Sequence, residues 1–297
     1  MGFVHMVEDQ DFLSRPTTCL RRTSERAGVE FSMKPIKASK VLAIGALYVA
    51  VALAETRPAQ ADGSEKVNSK DGATMVFVPA GVFLMGSDHP PDQQFDKEKP
   101  AHRVFLDGYW IYKNDVTVAQ YRAFCQATGR AMPLPPPWGW IDGHPMVSIT
   151  WKDAAAYATW AGAALPTEAQ WEKAARGDDG RLFPWGNQWD ASKLWRSRRD
   201  IGDAGHTVGA GSFPAGASPY GCLDMEGNVW QWCADWYGPY RAGTSRNPTG
   251  PAGGATRAVR GGSWYLVDPA SFRASNRSYG PPGVTYVFLG FRCVVAP

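Results

Sequence analysis

The stretch Cys222–Trp236, CLDMEGNVWQWCADW, places three tryptophans close together after a Gly227-Asn228 turn. Bulky aromatic residues alternate there with small and polar ones, a composition that is not typical of a surface strand. Two interpretations are open. Either the turn is buried for packing alone, or its carbonyl groups and the carboxylate of Asp224 bind a hard cation such as Ca²⁺, which prefers oxygen ligands.

Composition limits the kind of protein that surrounds this turn. The 297 residues are 44% hydrophobic and 12% aromatic, which is enough for one large domain or two modest ones. Thirteen Trp, 32 Gly and 23 Pro predict a loop-rich fold in which aromatic rings, rather than long helices, fill the interior. The net charge is +3, and the one short basic cluster, at 196–199, is explained by a solvated loop. We therefore expect no nucleic-acid partner, because such a partner needs a clustered basic face.

The beginning of the chain predicts export. Residues 33–61 combine a basic head, the uncharged apolar run Val41–Ala54 and a small-x-small cleavage pattern, AQA, at 59–61. The apolar run is short for a membrane span, which needs about 20 residues, although an uncleaved anchor is the alternative. We expect a disordered upstream extension over 1–32, a signal peptide over 33–61, a linker over 62–71 and a domain over 72–297. The mature protein is then periplasmic or secreted, without a stable membrane span.

An oxidising compartment affects how the cysteines are interpreted. Beyond the predicted signal lie Cys125, Cys222, Cys233 and Cys293, an even number that permits two disulfides in any of three pairings. Cys222 and Cys233 flank the central turn, so a local bridge between them is one option. No CxxC or HisxxCys spacing favours a thiolate metal site.

Capping signals predict three helices, beginning at 118, 151 and 168 and ending near 127, 161 and 176. Thr117 and Thr167 each stand three residues before a Gln, which is the capping-box spacing, and Thr150 precedes the middle helix. Runs rich in β-branched and aromatic residues predict short strands within 75–86, 103–112, 258–264 and 289–295. The fold class is therefore α+β, with short strands, about three main helices and little regular structure.

The residues alone indicate no catalytic group. None of the histidines at 89, 102, 144 and 206 lies in a GxSxG context or in an HxxxH or HxD pair. No phosphate-binding glycine loop opens a helix after a strand.

Seven motifs occur in the order found in the formylglycine-generating enzyme (sulfatase-modifying factor) family, which the chain resembles. They are FVPAG with FLMGS at 77–87, VTVAQY at 116–121, LPTE with WE at 165–172, FPWGN at 183–187, DMEGNVW at 224–230, RGGSW at 260–264 and LGFR at 289–292. The resemblance spans about residues 72 to 296. It implies a single C-type-lectin-like domain with short strands, stabilised by Ca²⁺.

The resemblance also implies an activity that this chain is not equipped to perform. Members of the family oxidise a sulfatase cysteine to formylglycine with O₂ and a Cu(I) ion held by two cysteine thiolates. The corresponding positions here are Leu266 and Ser271, and neither side chain suits Cu(I). We therefore expect a divergent member without copper-thiolate oxidase activity. Ser263, which lines the family's oxygen-binding pocket, is the active-site position that matches.

A calcium site on the central turn is implied in the same way. Asp224 supplies a side-chain oxygen, Gly227 and Val229 supply carbonyls, and Gln231 stands where the family prefers Glu. Replacement of one carboxylate predicts a weakened site.

The sequence departs from the family at two further places: the other calcium site and a disulfide. At the family's other calcium site Lys193 replaces an Asn, and we expect its ammonium group to replace the ion by pairing with Asp200 or Asp203. The family's disulfide partner for Cys293 aligns with Ala158, so Cys293 is free or paired anew.

Branches of the family that the chain resembles include periplasmic factors for siderophore maturation and accessory proteins for copper nitrite reductase, and export without the thiolates fits either. The resemblance therefore implies an exported maturation or accessory factor for a periplasmic protein, peptide or small molecule. A cleft for the ligand is expected among Trp138, Trp140, Ser263, Trp264 and Arg273, the alternative being that these tryptophans are core. Two other functions are open: an oxidase that modifies a sulfatase Cys or another substrate by a different route, and a lectin-like binding module.

Overall fold

The computed structural model describes residues 64–196 and 205–297. The predicted upstream extension and export signal lie outside the described residues. Eleven short strands in the described part form three small sheets, numbered here in chain order. The first sheet has the order β1 (Glu65–Val67), β2 (Thr74–Val78), β5 (Tyr109–Tyr112) and β11 (Val294–Val295). The second has the order β10 (Leu289–Gly290), β6 (Trp230–Trp236), β8 (Arg257–Arg260) and β9 (Arg277–Gly280). The third contains β3 (Gly81–Met85), β4 (His102–Leu106) and β7 (Thr244–Arg246).

The domain begins earlier than the sequence predicted. Residues 64–71, expected to be linker, contain β1, which pairs antiparallel with β2. Asn68 is buried and donates hydrogen bonds to the Tyr112 hydroxyl (2.7 Å) and to the Ala161 carbonyl (3.0 Å). Asp71 accepts hydrogen bonds from the hydroxyls of Tyr112 and Tyr157. These contacts attach the segment to the core, which the local sequence does not reveal.

The three predicted helices are present as α1 (Val118–Thr128), α2 (Trp151–Trp160) and α3 (Glu168–Arg176). Capping boxes at Thr117 and Thr167 begin the first and third helices, as predicted. Thr150 forms an additional box with Asp153. The α+β class with short strands and about three main helices is therefore confirmed.

The central stretch contains a turn followed by a buried strand. β6 lies inside the second sheet, parallel to β10 and antiparallel to β8. Trp230 and Trp232 are almost fully buried in the core formed with α1 and α2. A second cluster packs Trp171 of α3 against β2–β5. β6 therefore connects two packed regions, and its two ends reach different parts of the surface.

The described residues contain none of the disulfides that the sequence permitted, and Cys293 is free, which is one of the two outcomes expected for it. Cys125, Cys222, Cys233 and Cys293 are all buried free thiols, and none forms a disulfide. Burial raises the pKa of each thiol above its usual value. These cysteines therefore act as small apolar core residues. Within 64–196 and 205–297, no helix has the length and hydropathy needed to cross a membrane.

Candidate functional site

The loop that follows β8 depends on two glycines. Gly261 and Gly262 have φ angles of 99° and 67°, which disfavour any residue with a side chain. A Cβ atom on Gly261 would lie 2.8 Å from the Met225 carbonyl oxygen, and one on Gly262 would lie 2.9 Å from the Phe272 ring. The loop consequently folds tightly over the central turn and carries Ser263 and Trp264 with it.

Asn228 joins this loop to two other segments. It is fully buried with φ of 55°, a conformation that Asn adopts more readily than most residues. Its carbonyl accepts from the Trp264 amide (2.9 Å), and its amide donates to the Trp195 carbonyl (2.9 Å). Its side chain makes two hydrogen bonds of 3.1 Å with the backbone of Val208. One residue thus holds three loops around one point.

Two of these loops, which carry His206 with Thr207 and Trp264, meet the separate segment that carries Trp138 and His144. We call the resulting group the Trp–His cluster: Trp138, His144, His206, Thr207 and Trp264. The ring of Trp138 lies 5.8 Å from the rings of both Trp264 and His206, measured between centroids. The rings of His144 and His206 are stacked, with centroids 6.2 Å apart. Trp138 and His144 are half-buried and His206 is exposed, so a ligand has access to the cluster.

Thr207 determines the orientation of both imidazoles. Nδ1 of His206 lies 2.5 Å from the Thr207 carbonyl, which only accepts, so this nitrogen carries the hydrogen. Nε2 of a neutral His206 is therefore an acceptor. His144 Nδ1 lies 3.0 Å from the Thr207 hydroxyl. Burial, followed by the nearby charge of His206, lowers the pKa of His144, which keeps it neutral at pH 7. The cluster therefore offers aromatic faces and the imidazole of His144, whose neutral form the lowered pKa favours.

The predicted cleft is only partly assembled. Trp138 and Trp264 are in contact. Ser263, the residue before Trp264, is fully buried, and its hydroxyl accepts from the Tyr265 amide (3.3 Å). Trp140 is half-buried against the same hydrophobic core.

Arg273 does not take part in this cleft. Its guanidinium is buried, donates to Glu98 Oε1 (2.5 Å) and lies over the Phe95 ring. It belongs to a buried ion pair, so its assignment as a ligand-binding residue was wrong.

Comparison with known proteins identifies the family. Residues 60–297 match the model of the sulfatase-modifying factor enzyme 1-like domain, also termed FGE-sulfatase. The chain belongs to this family. Formylglycine-generating enzyme from Mus musculus is 32% identical over 277 residues, covering 74% of this chain and 74% of the relative. Hercynine oxygenase from Mycolicibacterium smegmatis is 34% identical over 262 residues, covering 74% of this chain and 60% of that protein.

A solved structure supports the same assignment. PvdO from Pseudomonas aeruginosa superposes with a TM-score of 0.69 and 26% identity, covering 79% of this chain and 98% of that one. The family and its C-type-lectin-like fold are thus shown. Relatives with different names share the domain, so the activity has to be argued from the site.

The positions that correspond to the family's copper thiolates hold no sulfur. Leu266 is half-buried against the hydrophobic core, and its amide donates to the Ser263 carbonyl (3.1 Å). Ser271 lies on the short 3₁₀ helix Pro269–Phe272, and its carbonyl accepts from Asn276 (2.7 Å). Neither side chain fits a Cu(I) ion, which prefers soft sulfur ligands.

Gln231, at the start of the strand that follows the central turn, has its side chain fully hydrogen-bonded within the protein. Its amide oxygen accepts from Trp171 Nε1 and Arg292 Nε, both at 2.7 Å, which occupies both lone pairs. Its amide nitrogen donates to the Asp224 carbonyl (2.8 Å). Gln231 therefore does not fit the role of a calcium ligand.

The remaining candidates are Asp224, Gly227 and Val229. The Asp224 carboxylate accepts from the Gly211 amide (2.6 Å), and burial raises the pKa of this carboxyl. The guanidinium of Arg292 donates to the Asp224 carbonyl (3.1 Å), so a cationic side chain already lies against the turn. Ca²⁺ usually takes six to eight oxygens, and these residues alone do not supply them. Calcium binding here stays a prediction from the resemblance.

The replacement predicted at the other calcium site involves residues of which only one is described. Lys193 Nζ lies 4.0 Å from Asp190 Oδ2, and both side chains are partly exposed. Asp200 and Asp203, the partners that we predicted, lie outside the described residues.

Sequence reasoning missed His144, His206 and Asn228. The histidines were set aside because they form no local pair, yet they meet through a contact between residues 62 positions apart in the chain. The Gly227-Asn228 turn was noticed, but not that its Asn connects three loops. A search for catalytic spacings within one segment is not able to detect either arrangement.

Proposed function

We propose that this protein is an exported accessory or maturation factor that lacks copper-thiolate oxidase activity. The observation that carries the proposal is the pair Leu266 and Ser271 at the two positions where the family places thiolates. Because Cu(I) prefers soft sulfur ligands, side chains without sulfur do not bind it at these positions. The partner is a periplasmic enzyme or metabolite, such as copper nitrite reductase or a siderophore.

The surroundings of the Trp–His cluster support a binding role. Leu134 is 87% exposed and Ile141 is 42% exposed, and both lie on the loop that carries Trp138. Val267, 54% exposed, follows shortly after Trp264 on the opposite loop. Exposed apolar residues on both segments that form a site are typical of a surface that binds a partner. In this role the aromatic faces hold the ligand, and the imidazole nitrogens form hydrogen bonds with it.

The absence of oxidase activity is tested directly. The purified protein is loaded with Cu(I) and incubated with O₂ and a sulfatase-type peptide that contains cysteine. We expect no formylglycine by mass spectrometry. Formylglycine formation at the rate of an active family member, assayed in parallel, would refute the proposal.

A paired variant supplies the matched control. Leu266→Cys with Ser271→Cys places sulfur at both positions, and we expect this variant to acquire Cu(I) affinity in a chelator competition. The single variants should stay near the wild-type value, because one thiolate does not enclose the ion. A wild-type affinity equal to that of the double variant would show that copper is held by other groups.

The accessory role needs a separate measurement. A periplasmic copper nitrite reductase is produced with and without this protein, and its copper content and activity are compared. The wild type and a Trp138→Ala/Trp264→Ala variant are compared in the same strain, and a siderophore precursor is assayed in a parallel culture. We expect one of the two products to fall when this protein is absent or carries the paired substitution. If both products mature equally under all conditions, these two partners are ruled out.

A further inference from the structure

A second pocket lies at the far end of β6 from the Trp–His cluster. It has a volume of about 610 Å³ and lies between the first turn of α3 and the segment 238–252. Asp235 and Trp236, the last residues of β6, form part of its wall. The Trp–His cluster is attached to Asn228, just before the other end of this seven-residue strand. At about 3.3 Å per residue the two sites are roughly 20 Å apart.

Two of the charged groups in this pocket neutralise each other. Arg277 donates to both carboxylate oxygens of Glu168, at 2.8 and 2.6 Å. Its remaining nitrogen donates to the carbonyls of Lys97 and Gly238. Four of the five N–H groups of Arg277 are thus used within the protein, and its charge is balanced by Glu168.

Asp235 is the acid that is left without a cation. It is 4% exposed, and its Oδ2 accepts from the Glu168 amide (2.9 Å), but within the described residues no basic side chain forms an ion pair with it. Arg257 is near, but its guanidinium lies between the rings of Trp151 and Trp236. A carboxylate in a cavity without a basic partner has the chemistry of a receptor for a cation.

The other walls are suited to an organic ligand. His102 Nδ1 donates to the Pro100 carbonyl (3.0 Å), so Nε2 is an acceptor when the ring is neutral. The Tyr240 ring packs edge-on against His102, with centroids 4.8 Å apart. Met85, Trp236 and Pro251 supply apolar surface, and the exposed Arg241 also lines the cavity. Besides the paired Glu168 and Arg277, the cavity therefore presents one buried acid without an ion-pair partner, one acceptor nitrogen and apolar walls, with Arg241 at its exposed side.

We propose that this cavity is a second binding site, for a small primary ammonium compound with an apolar body. The ammonium group pairs with the Asp235 carboxylate, and the body lies against Trp236 and the apolar walls. Aromatic faces add attraction for the cation. The site is independent of the proposed accessory function, because it shares no residue with the Trp–His cluster.

Binding at this site depends on pH. Burial, followed by the negative charge of Glu168, raises the pKa of Asp235 to about 7. At pH 8 the carboxyl is ionised and pairs with an ammonium group, whereas at pH 5.5 it is protonated and the attraction is lost. Binding at pH 7 therefore displaces a proton from Asp235.

The test uses benzylamine with the full-length protein. Isothermal titration and ligand-observed NMR at pH 8 should show binding at millimolar concentration, at least about tenfold tighter than at pH 5.5. Benzyl alcohol and benzoate have the same ring without the positive charge, and both should bind more weakly. At pH 7 the heat should vary with the ionisation enthalpy of the buffer, because a proton is released.

Two variants assign the binding to this cavity. Asp235→Asn retains an oxygen that accepts from the Glu168 amide, so the fold is preserved, and it should reduce benzylamine affinity at pH 8 at least about tenfold while leaving benzyl alcohol unchanged. Ala242→Trp, on the exposed wall, fills the cavity and should abolish binding. Trp138→Ala in the Trp–His cluster should have no effect. Absence of benzylamine binding at pH 8, or equal binding by wild type and Asp235→Asn, would overturn the proposal.

Discussion

The two ends of β6 are organised by different interactions. At the first end, Asn228 holds three loops through neutral hydrogen bonds, and the surface consists of tryptophan and histidine rings. At the second end, Glu168, Arg277 and Asp235 are buried together with Tyr240 against them. Neutral interactions favour apolar or planar ligands at the first end, whereas an unbalanced acid favours a cation at the second. One strand therefore supports two sites with different ligand chemistry.

Removal of a buried arginine from the ion pairs near the second end should have the largest effect on the free energy of unfolding. Arg260 pairs with Gln231 in the sheet, and its fully buried side chain reaches to 3.9 Å from Glu168 of the second end. It donates to Glu172 and to the carbonyls of Ala274, Ser275 and Asn276. Arg260→Met leaves Glu172 and three carbonyls short of a donor, and we expect a loss of about 3–5 kcal/mol in the free energy of unfolding. Urea denaturation followed by tryptophan fluorescence measures it.

A surface pair provides the control for this prediction. Arg246 and Asp107 form an ion pair whose side chains are 64% and 56% exposed. Arg246→Met should cost less than about 1 kcal/mol, because water screens exposed charges. Similar losses for the two variants would show that burial does not set the value of these pairs.

A substitution at the first end should lower the free energy of unfolding less, and its structural effect should be confined to that end. Asn228→Ala removes both side-chain hydrogen bonds to Val208 and places Ala at a positive φ angle. We expect a loss of about 2–3 kcal/mol in the free energy of unfolding. Since the loops that carry His206 and Trp264 are released, the histidine and indole NMR signals of the Trp–His cluster should shift while those at the Asp235 end stay in place.

Asn228→Gly separates the two causes. Glycine tolerates the positive φ angle but lacks the side-chain hydrogen bonds. A loss close to that of Asn228→Ala would assign the effect to the hydrogen bonds, and a near-neutral result would assign it to backbone strain. Unchanged NMR signals in both variants would show that Asn228 does not organise the cluster.

The features that the sequence predicted depend on residues close together in the chain, whereas those that it missed depend on contacts between distant residues. The capping boxes at Thr117 and Thr167 are decided within four residues, so the helices were placed correctly. The family motifs likewise identified the fold. The stack of His144 on His206 and the attachment of residues 64–71 depend on contacts between distant segments, which no local pattern contains. Arg273 was misplaced for the same reason, since its partner Glu98 lies 175 residues earlier.

The pH dependence of stability tests the charged end in the absence of a ligand. The pKa of Asp235 is about 7 in the folded protein, because of burial and then Glu168, and about 4 in the unfolded chain. The folded state therefore binds more protons between pH 4 and 7. The stability that Asp235 contributes is present below pH 4 and is lost as the pH rises to 7. We expect Asp235→Asn to lose about 2–3 kcal/mol less than the wild type between pH 5 and pH 7.5, measured by urea denaturation.

Other buried acids provide the background to this comparison. Burial also raises the pKa of Asp115 and Glu226, so the wild type and the variant should both lose stability as the pH rises. Asp96→Asn, which alters an exposed ion pair with Lys99, should follow the wild-type curve. Superimposable curves for the wild type and Asp235→Asn would show that this carboxyl titrates normally.

Calcium at the central turn should have the smallest effect on the free energy of unfolding. Gln231 has both oxygen lone pairs occupied by Trp171 and Arg292, and the Arg292 guanidinium lies against the Asp224 carbonyl. Addition of 5 mM CaCl₂ should therefore raise the free energy of unfolding by less than about 1 kcal/mol relative to EDTA, the gain expected when the dissociation constant is itself millimolar or weaker. Asp224→Asn should respond in the same way. A calcium-dependent gain of several kcal/mol that disappears in Asp224→Asn would mean that Gln231 and Arg292 move aside so that the ion replaces their hydrogen bonds at the central turn.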